Sequence, residues 1–179
     1  MRGQAELKTE LKREAISAAK YRFAIVVSRW NDQFTSKLAS GAIQALREAG
    51  ANDDNMETFY VPGAFELPIA SLKAAKSGHF DAVIALGVVI RGDTPHFDYV
   101  AGQAAAGLMK ASLKTGVPIM FGVITADNIE QTEARCGTGA DNKGYEAAQS
   151  AIEMAELMRH MEVRNDERFQ QFPEKANVA

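Results

Sequence analysis

The sequence predicts an α/β protein, a three-layer sandwich in which a four-stranded parallel sheet lies between two layers of helices. Three observations predict it. Four apolar runs, at 23–28, 57–61, 81–86 and 118–125, have the length and composition of strands. Each is followed by a segment with helical spacing of its apolar residues, and parallel neighbours need such crossovers. The third run, Asp81-Ala82-Val83-Ile84-Ala85-Leu86, is apolar on both pleats, as in a strand covered on both faces.

The elements follow in order. Residues 1–20 are charged and helix-permissive, with Leu7, Leu11 and Ile16 forming a weak amphipathic stripe, and are expected to be an appendage. The first strand runs from Phe23 to Ser28. After the loop Arg29-Trp30-Asn31-Asp32 a helix places Phe34, Leu38, Ala42, Leu46 and Ala49 on one face and closes at Gly50. The second strand, Glu57 to Val61, meets the turn Pro62-Gly63 and a helix carrying Phe65, Leu67, Ile69 and Leu72 that stops at Gly78. The third strand passes through a polar loop into a helix from about Tyr99 to Lys114. The fourth, Pro118 to Thr125, leads to a short helix (Asn128 to Arg135), a Gly-rich turn and a long helix from Lys143 to Met161. The tail from Asn165 is polar apart from Phe169 and Phe172, and mobility is expected there unless those rings dock.

Composition narrows the function. The 179 residues are 46% hydrophobic and 24% charged, enough apolar material for one ordinary core. A net charge of -3 and a pI near 5.7 offer no basic field, which argues against nucleic acid and membrane surfaces as partners. Small molecules and other protein chains are left. The single Cys136 has no internal disulfide partner, and Met1 to Glu6 lack the apolar run of a signal peptide, so a reducing cytoplasm is expected. His79 and His160 have no metal-ligand spacing, and no metal site is expected.

The loop Gly87 to Tyr99 is the most pointed feature. A buried parallel strand that ends in Gly92, Asp93, Thr94 and His96 before opening a helix marks the place where open α/β sheets bind ligands. Amides at Asp93 and Thr94 suit an anion, and His96 suits proton transfer near neutral pH. Trp30-Asn31 after strand one, Gly63 to Glu66 after strand two, and Phe121, taken as late in strand four, are expected at the same carboxyl edge. Singly, each has a plain reading: a helix-start histidine, a tryptophan covering a loop, a carboxylate in a first helical turn. Their convergence favours a site. Arg135 and Lys143 flank a Gly-rich turn and suit phosphate as a planar fork and a point charge. The turn is neither a P-loop, since a helix precedes it and Gly144 follows Lys143, nor a dinucleotide fingerprint, since Asn142 takes the third glycine position. Arg91-Gly92-Asp93 spells an adhesion tripeptide, which carries no weight in a chain of cytoplasmic character.

These blocks resemble lumazine synthase, a riboflavin-pathway enzyme family, from Phe23 to about Met161. The resemblance rests on Ser28 to Asp32 with Thr35 to Leu38, Val61 to Pro68, Gly87 to Val100, Phe121-Gly122 and Asn142 to Gly144, in family order and spacing. It implies a flavodoxin-like sheet; the domain is expected to span 21–163, with 164–179 taken as a tail on composition alone. It also implies condensation of 5-amino-6-(D-ribitylamino)uracil with 3,4-dihydroxy-2-butanone 4-phosphate to 6,7-dimethyl-8-ribityllumazine, without a cofactor. By the resemblance, Trp30 stacks on the pyrimidine, Asn31 beside it belongs to the substrate-binding residues, and Ala64, Phe65 and Glu66 hold the ribityl hydroxyls. Main-chain groups of Val88, Val89 and Ile90 read the pyrimidine edge, while Asp93, Thr94 and Arg135 hold the phosphate. His96 moves protons. Phe121, Arg135 and Lys143 come from a neighbouring subunit, as the family forms pentamers and, in many members, shells of twelve pentamers. Riboflavin synthase is a candidate partner protein.

Two departures stand out. Trp30 replaces the usual Phe, and Gly139 stands where many members carry Lys, leaving one cation fewer at the phosphate end. The turn from Gly137 to Lys143 shows no insertion relative to shell-forming members. A non-catalytic flavin or lumazine carrier on the same fold is the rival reading, and it would show damage at His96, Arg135 or Lys143, all of which are present. A flavodoxin-like redox domain is a weaker rival, because Arg29-Trp30-Asn31 stands where its Ser/Thr-rich phosphate loop would be.

Overall fold

The computed structural model describes residues 16–171, with side chains through residue 162. In chain order the elements are β1 (Phe23–Ser28), α1 (Asp32–Glu48), β2 (Met56–Val61), α2 (Leu67–Lys76), β3 (Ala82–Ile90), α3 (His96–Thr115), β4 (Ile119–Ala126), α4 (Ile129–Glu133) and α5 (Lys143–Gln171). The strands form one parallel sheet in the order β2-β1-β3-β4. Helices cover both faces, in a flavodoxin-like α/β arrangement.

Alternation along β1 divides its side chains between two cores. Phe23, Ile25 and Val27 pack with Leu38, Leu46, Ala148 and Ile152 from α1 and α5. Ala24 and Val26 pack with Leu67, Ala75, Leu108 and Ala111 from α2 and α3. The period-two projection of a strand requires this split, and burial of every β1 residue confirms it. Of the N-terminal stripe, Ile16 is half-buried against the first core. Leu7, Leu11, Phe172 and the side chain of Phe169 lie outside the described residues.

Several strand ends shift by one residue, and four boundaries differ from the sequence reading for identifiable reasons. β3 runs on to Ile90 rather than ending at Leu86, because Val88, Val89 and Ile90 are β-branched and pair with Ile124, Thr125 and Ala126 of β4. α3 begins at His96 instead of Tyr99: Pro95 stands just before it with φ −63°, a value its ring enforces and a helix start accepts. α4 is shorter than the span from Asn128 to Arg135, since Asn128 is its cap, accepting from the Gln131 N–H through its side chain. α5 continues past Met161 to Gln171, with no Gly or Pro between Gly144 and Pro173 to stop it.

Candidate active site

From β1 the chain passes to β2 on one side and then returns to β3 on the other. Sheets of this kind leave a crevice at the carboxyl ends of the strands where the winding reverses. An open cleft of about 520 Å³ lies there, between the ends of β1, β2 and β3 and the start of α3.

The first wall is the turn after β1. The Trp30 N–H donates to the Pro62 carbonyl at 3.0 Å, and the indole is left 74% exposed beside Gly63. Asn31 adopts the left-handed conformation (φ 62°, ψ 43°), the one non-glycine to do so among the described residues. Asparagine tolerates that geometry. Its Nδ2 donates to the Val88 carbonyl at 3.0 Å, tying the turn to β3 across the crevice.

β3 supplies the second wall. It pairs with β1 only as far as Leu86, whereas its pairing with β4 continues to Ile90. Beyond Leu86 the edge that faced β1 therefore has no strand beside it, and Val88, Val89 and Ile90 line the cleft there. Peptide groups on such an edge can read the polar rim of a flat ring. Gly87 allows the layers beneath to close, since a Cβ there would come within 2.9 Å of Leu67 Cδ1.

The 3₁₀ turn Ala64–Glu66 forms the third wall. Ala64 is buried, Phe65 is exposed and Glu66 is half-buried; Glu66 Oε2 accepts from the Gly63 N–H at 2.9 Å, which fixes the carboxylate at the rim. His96 lines the cleft from the first turn of α3, joined by Tyr99 and Val100, which the sequence reading did not single out. Asp93 and Thr94 are exposed on the loop between Ile90 and His96 and do not line this cleft.

Arg91 was also missed as a site element, read only as part of a tripeptide. Its Nε donates to Asp127 at 3.0 Å and its two terminal nitrogens reach Asp98 at 3.1 and 3.4 Å, while the guanidinium lies 4.0 Å from the Phe97 ring centroid. Asp98, then Asp127, strengthen its charged form. Two-point contact and stacking make this more than a loose surface pair. It clamps both ends of the Gly92–Pro95 loop. The discernible signal was an arginine closing an apolar strand seven residues before an acidic residue in a helical first turn.

Phe121, Arg135 and Lys143 gather elsewhere, in a separate cleft of about 280 Å³ between β4 and α5. The two clefts share no lining residue. Phe121 is the third residue of β4, opposite Ala85, so the expectation of a place late in that strand is wrong. Pro118 ends the preceding turn and β4 starts at once, which puts Phe121 in its amino-terminal half. The Lys143 N–H donates to the Arg135 carbonyl at 2.9 Å, the Arg135 guanidinium donates to the Gln131 carbonyl at 2.7 Å, and the Lys143 ammonium pairs with Glu146. Both cations are exposed on the sheet's open edge. Cys136 beside them is buried, and burial pushes its thiol pKa up, which suits packing rather than nucleophilic chemistry.

Among the described residues no helix is long and apolar enough to cross a membrane. Residues 20–159 match the family model described as 6,7-dimethyl-8-ribityllumazine synthase. The chain is 54% identical over 147 residues to the 6,7-dimethyl-8-ribityllumazine synthase of Chlorobium luteolum, covering 82% of this chain and 95% of that protein. It is also 54% identical over 146 residues to the enzyme of the same name from Chlorobium chlorochromatii, covering 82% of this chain and 94% of that one. With a match of this extent spanning both clefts, the chain belongs to the 6,7-dimethyl-8-ribityllumazine synthase family.

Proposed function

We propose that this chain condenses 5-amino-6-(D-ribitylamino)uracil with 3,4-dihydroxy-2-butanone 4-phosphate, at a site completed by a second copy of itself. The observation that carries the reading is the separation of the two clefts. A stacking ring, a bare strand edge and a histidine lie on one side of the chain, and two cations with an exposed Phe121 lie on the open edge of β4. Each is half of a site for a planar polar ring and a phosphate ester. Docking the β4 edge of one copy against the 520 Å³ cleft of another joins the halves.

In the joined site Trp30 stacks on the pyrimidine, Asn31 holds the wall in place, and peptide groups of Val88, Val89 and Ile90 read its polar edge. Ala64, Phe65 and Glu66 receive the ribityl chain. The Asp93 and Thr94 amides, with the neighbour's Arg135 and Lys143, bind the phosphate. The amine attacks the ketone and loses one water to form an imine, phosphate leaves by elimination, and ring closure expels a second water. His96 accepts and returns the protons of these steps.

α3 supports assembly. Tyr99, Gly102, Ala106, Met109 and Leu113 recur at alternating steps of three and four residues and all are exposed. Such a stripe is the pattern of helices packing around a shared axis, and its small residues permit close approach. A head-to-tail contact that closes into a ring leaves no half-site unfilled. The pentamer, and the shell of twelve pentamers, are the states to test. So is the division into a catalytic domain at 21–163 with flanking extensions, and an association with riboflavin synthase.

The decisive experiment mixes the purified protein with both substrates and follows lumazine fluorescence. Product formation supports the enzyme; tight lumazine binding without turnover would favour the carrier. Light scattering at low micromolar concentration reads the assembly, and an active monomer would overturn the shared site.

A further inference from the structure

The turn that joins Arg135 to Lys143 is held by one side chain to which no role has been given. Asn142 is 2% exposed and uses both of its donors and both acceptor positions. Its Oδ1 accepts from the Gly144 N–H at 2.9 Å and the Tyr145 N–H at 3.1 Å, capping α5. Its Nδ2 donates to the Lys37 carbonyl in α1 and the Gly137 carbonyl in the turn, both at 3.0 Å. Two glycines make room for it. A Cβ at Gly41 would fall 2.4 Å from Asn142 Oδ1, and one at Gly144 would fall 2.0 Å from the Leu38 carbonyl oxygen.

Arg135 and Lys143 sit at the two ends of this turn, joined by the Lys143 N–H bond to the Arg135 carbonyl. Their own side-chain contacts are exposed, local and weak: a carbonyl four residues back for one, a carboxylate three residues on for the other. The directions of the two cations are therefore set by the backbone beneath them, and that backbone is anchored to the body of the chain through Asn142. We propose that Asn142 is a positioning residue for the phosphate-binding pair, latching the Arg135–Lys143 turn to α1 so that both cations converge on one phosphate. The inference rests on the phosphate reading of that pair given above.

The assembled full-length enzyme carrying Asn142→Asp tests it. Aspartate keeps the cap acceptors and loses both donors, so the helix start survives while the latch opens. The KM for the butanone phosphate and the inhibition constant of inorganic phosphate should each rise about tenfold, the scale of two lost buried hydrogen bonds. The KM for the ribityl pyrimidine should stay within about twofold, since a single decade already separates the two classes of effect. If Asn142→Asp does not assemble, Asn142→Ser retains a capping oxygen but is too short to span to Lys37, and the same split is expected. Arg135→Ala is the parallel control. Should it raise the phosphate constants while the Asn142 variants leave them unchanged, the latch is wrong and the phosphate reading stands. Should Arg135→Ala leave them unchanged, the phosphate reading fails and takes the latch with it. An equal rise in both KM values with a lowered melting temperature would make Asn142 merely structural and overturn the proposal.

Discussion

Replacing Gly144 by alanine sets two effects of known size against each other. In a helix, Gly to Ala ordinarily stabilises by roughly 0.5–1 kcal/mol. Here the new methyl would lie 2.0 Å from the Leu38 carbonyl oxygen and 2.6 Å from its carbon, both backbone atoms that no rotamer change can move aside. Restoring ordinary contact requires α1 and α5 to part by more than about 1 Å, and overpacking of this kind costs about 1–3 kcal/mol. The movement also stretches the Asn142 bond to Lys37, worth about 0.5–1.5 kcal/mol. The clash wins, with a net loss of about 2 kcal/mol. At about 2–4 °C per kcal/mol for a chain of this size, the melting temperature should fall by about 4–8 °C. Scanning calorimetry of both proteins at one matched concentration reads this directly, since assembly makes the midpoint concentration-dependent. A variant that melts at or above the parent temperature would show that helix propensity dominates and that the two helices do not approach so closely.

Further outcomes are expected. Arg135→Ala removes a charge-assisted phosphate contact worth about 2–5 kcal/mol, so kcat/KM should drop at least about thirtyfold; retention of more than roughly a tenth of the activity refutes the assignment. His96→Ala should lose only about tenfold, because holding the amine against the ketone supplies most of the acceleration, and a His96 variant worse than Arg135→Ala would reverse that ranking. Trp30 is the sole tryptophan, so saturating lumazine should quench its fluorescence. Trp30→Ala should weaken product binding several-fold, in line with stacking worth about 0.5–1.5 kcal/mol, while Trp30→Phe stays active; emission indifferent to ligand would put Trp30 outside the site. Lys20, then Tyr21, hold the Glu156 carboxyl below its ordinary pKa of 4.5. That contribution is complete above the ordinary value and lost as pH falls beneath it, so Glu156→Gln should lower the neutral-pH melting temperature and flatten its acid decline; an acid limb as steep as the parent's would exclude the pair.

What could be read from the sequence was what local chemistry encodes. β1 and the first part of β3 show themselves as uninterrupted apolar runs because both faces are covered, and Pro62-Gly63 and the Gly92 loop show themselves as turns. The end of β3 was misplaced because Val88, Val89 and Ile90 serve as strand and as cleft wall at once, and the polar residues after them drew the boundary inward. Arg91 and Asn142 were passed over for a different reason. The partners of Arg91 come from the first turn of α3 and from the loop after β4, and Asn142 reaches a carbonyl 105 positions away in α1. No spacing rule links such positions; only folding brings them together. Phe121 was expected beside Trp30 and Glu66 at the carboxyl edge but lies in the amino-terminal half of β4, in the other cleft, since nothing in its neighbours tells how far β4 extends.

The clefts' lack of any common residue has a genetic consequence. If each reaction site draws one cleft from each of two adjacent copies, a chain whose Trp30–His96 cleft is blocked outright and a chain defective at Arg135 are both dead alone yet complement each other when co-assembled. In a random equal mixture about a quarter of the junctions would pair two intact faces, as follows from head-to-tail closure of a ring. Loss-of-function alleles of this gene would then fall into two complementation groups, one for each side of a single polypeptide.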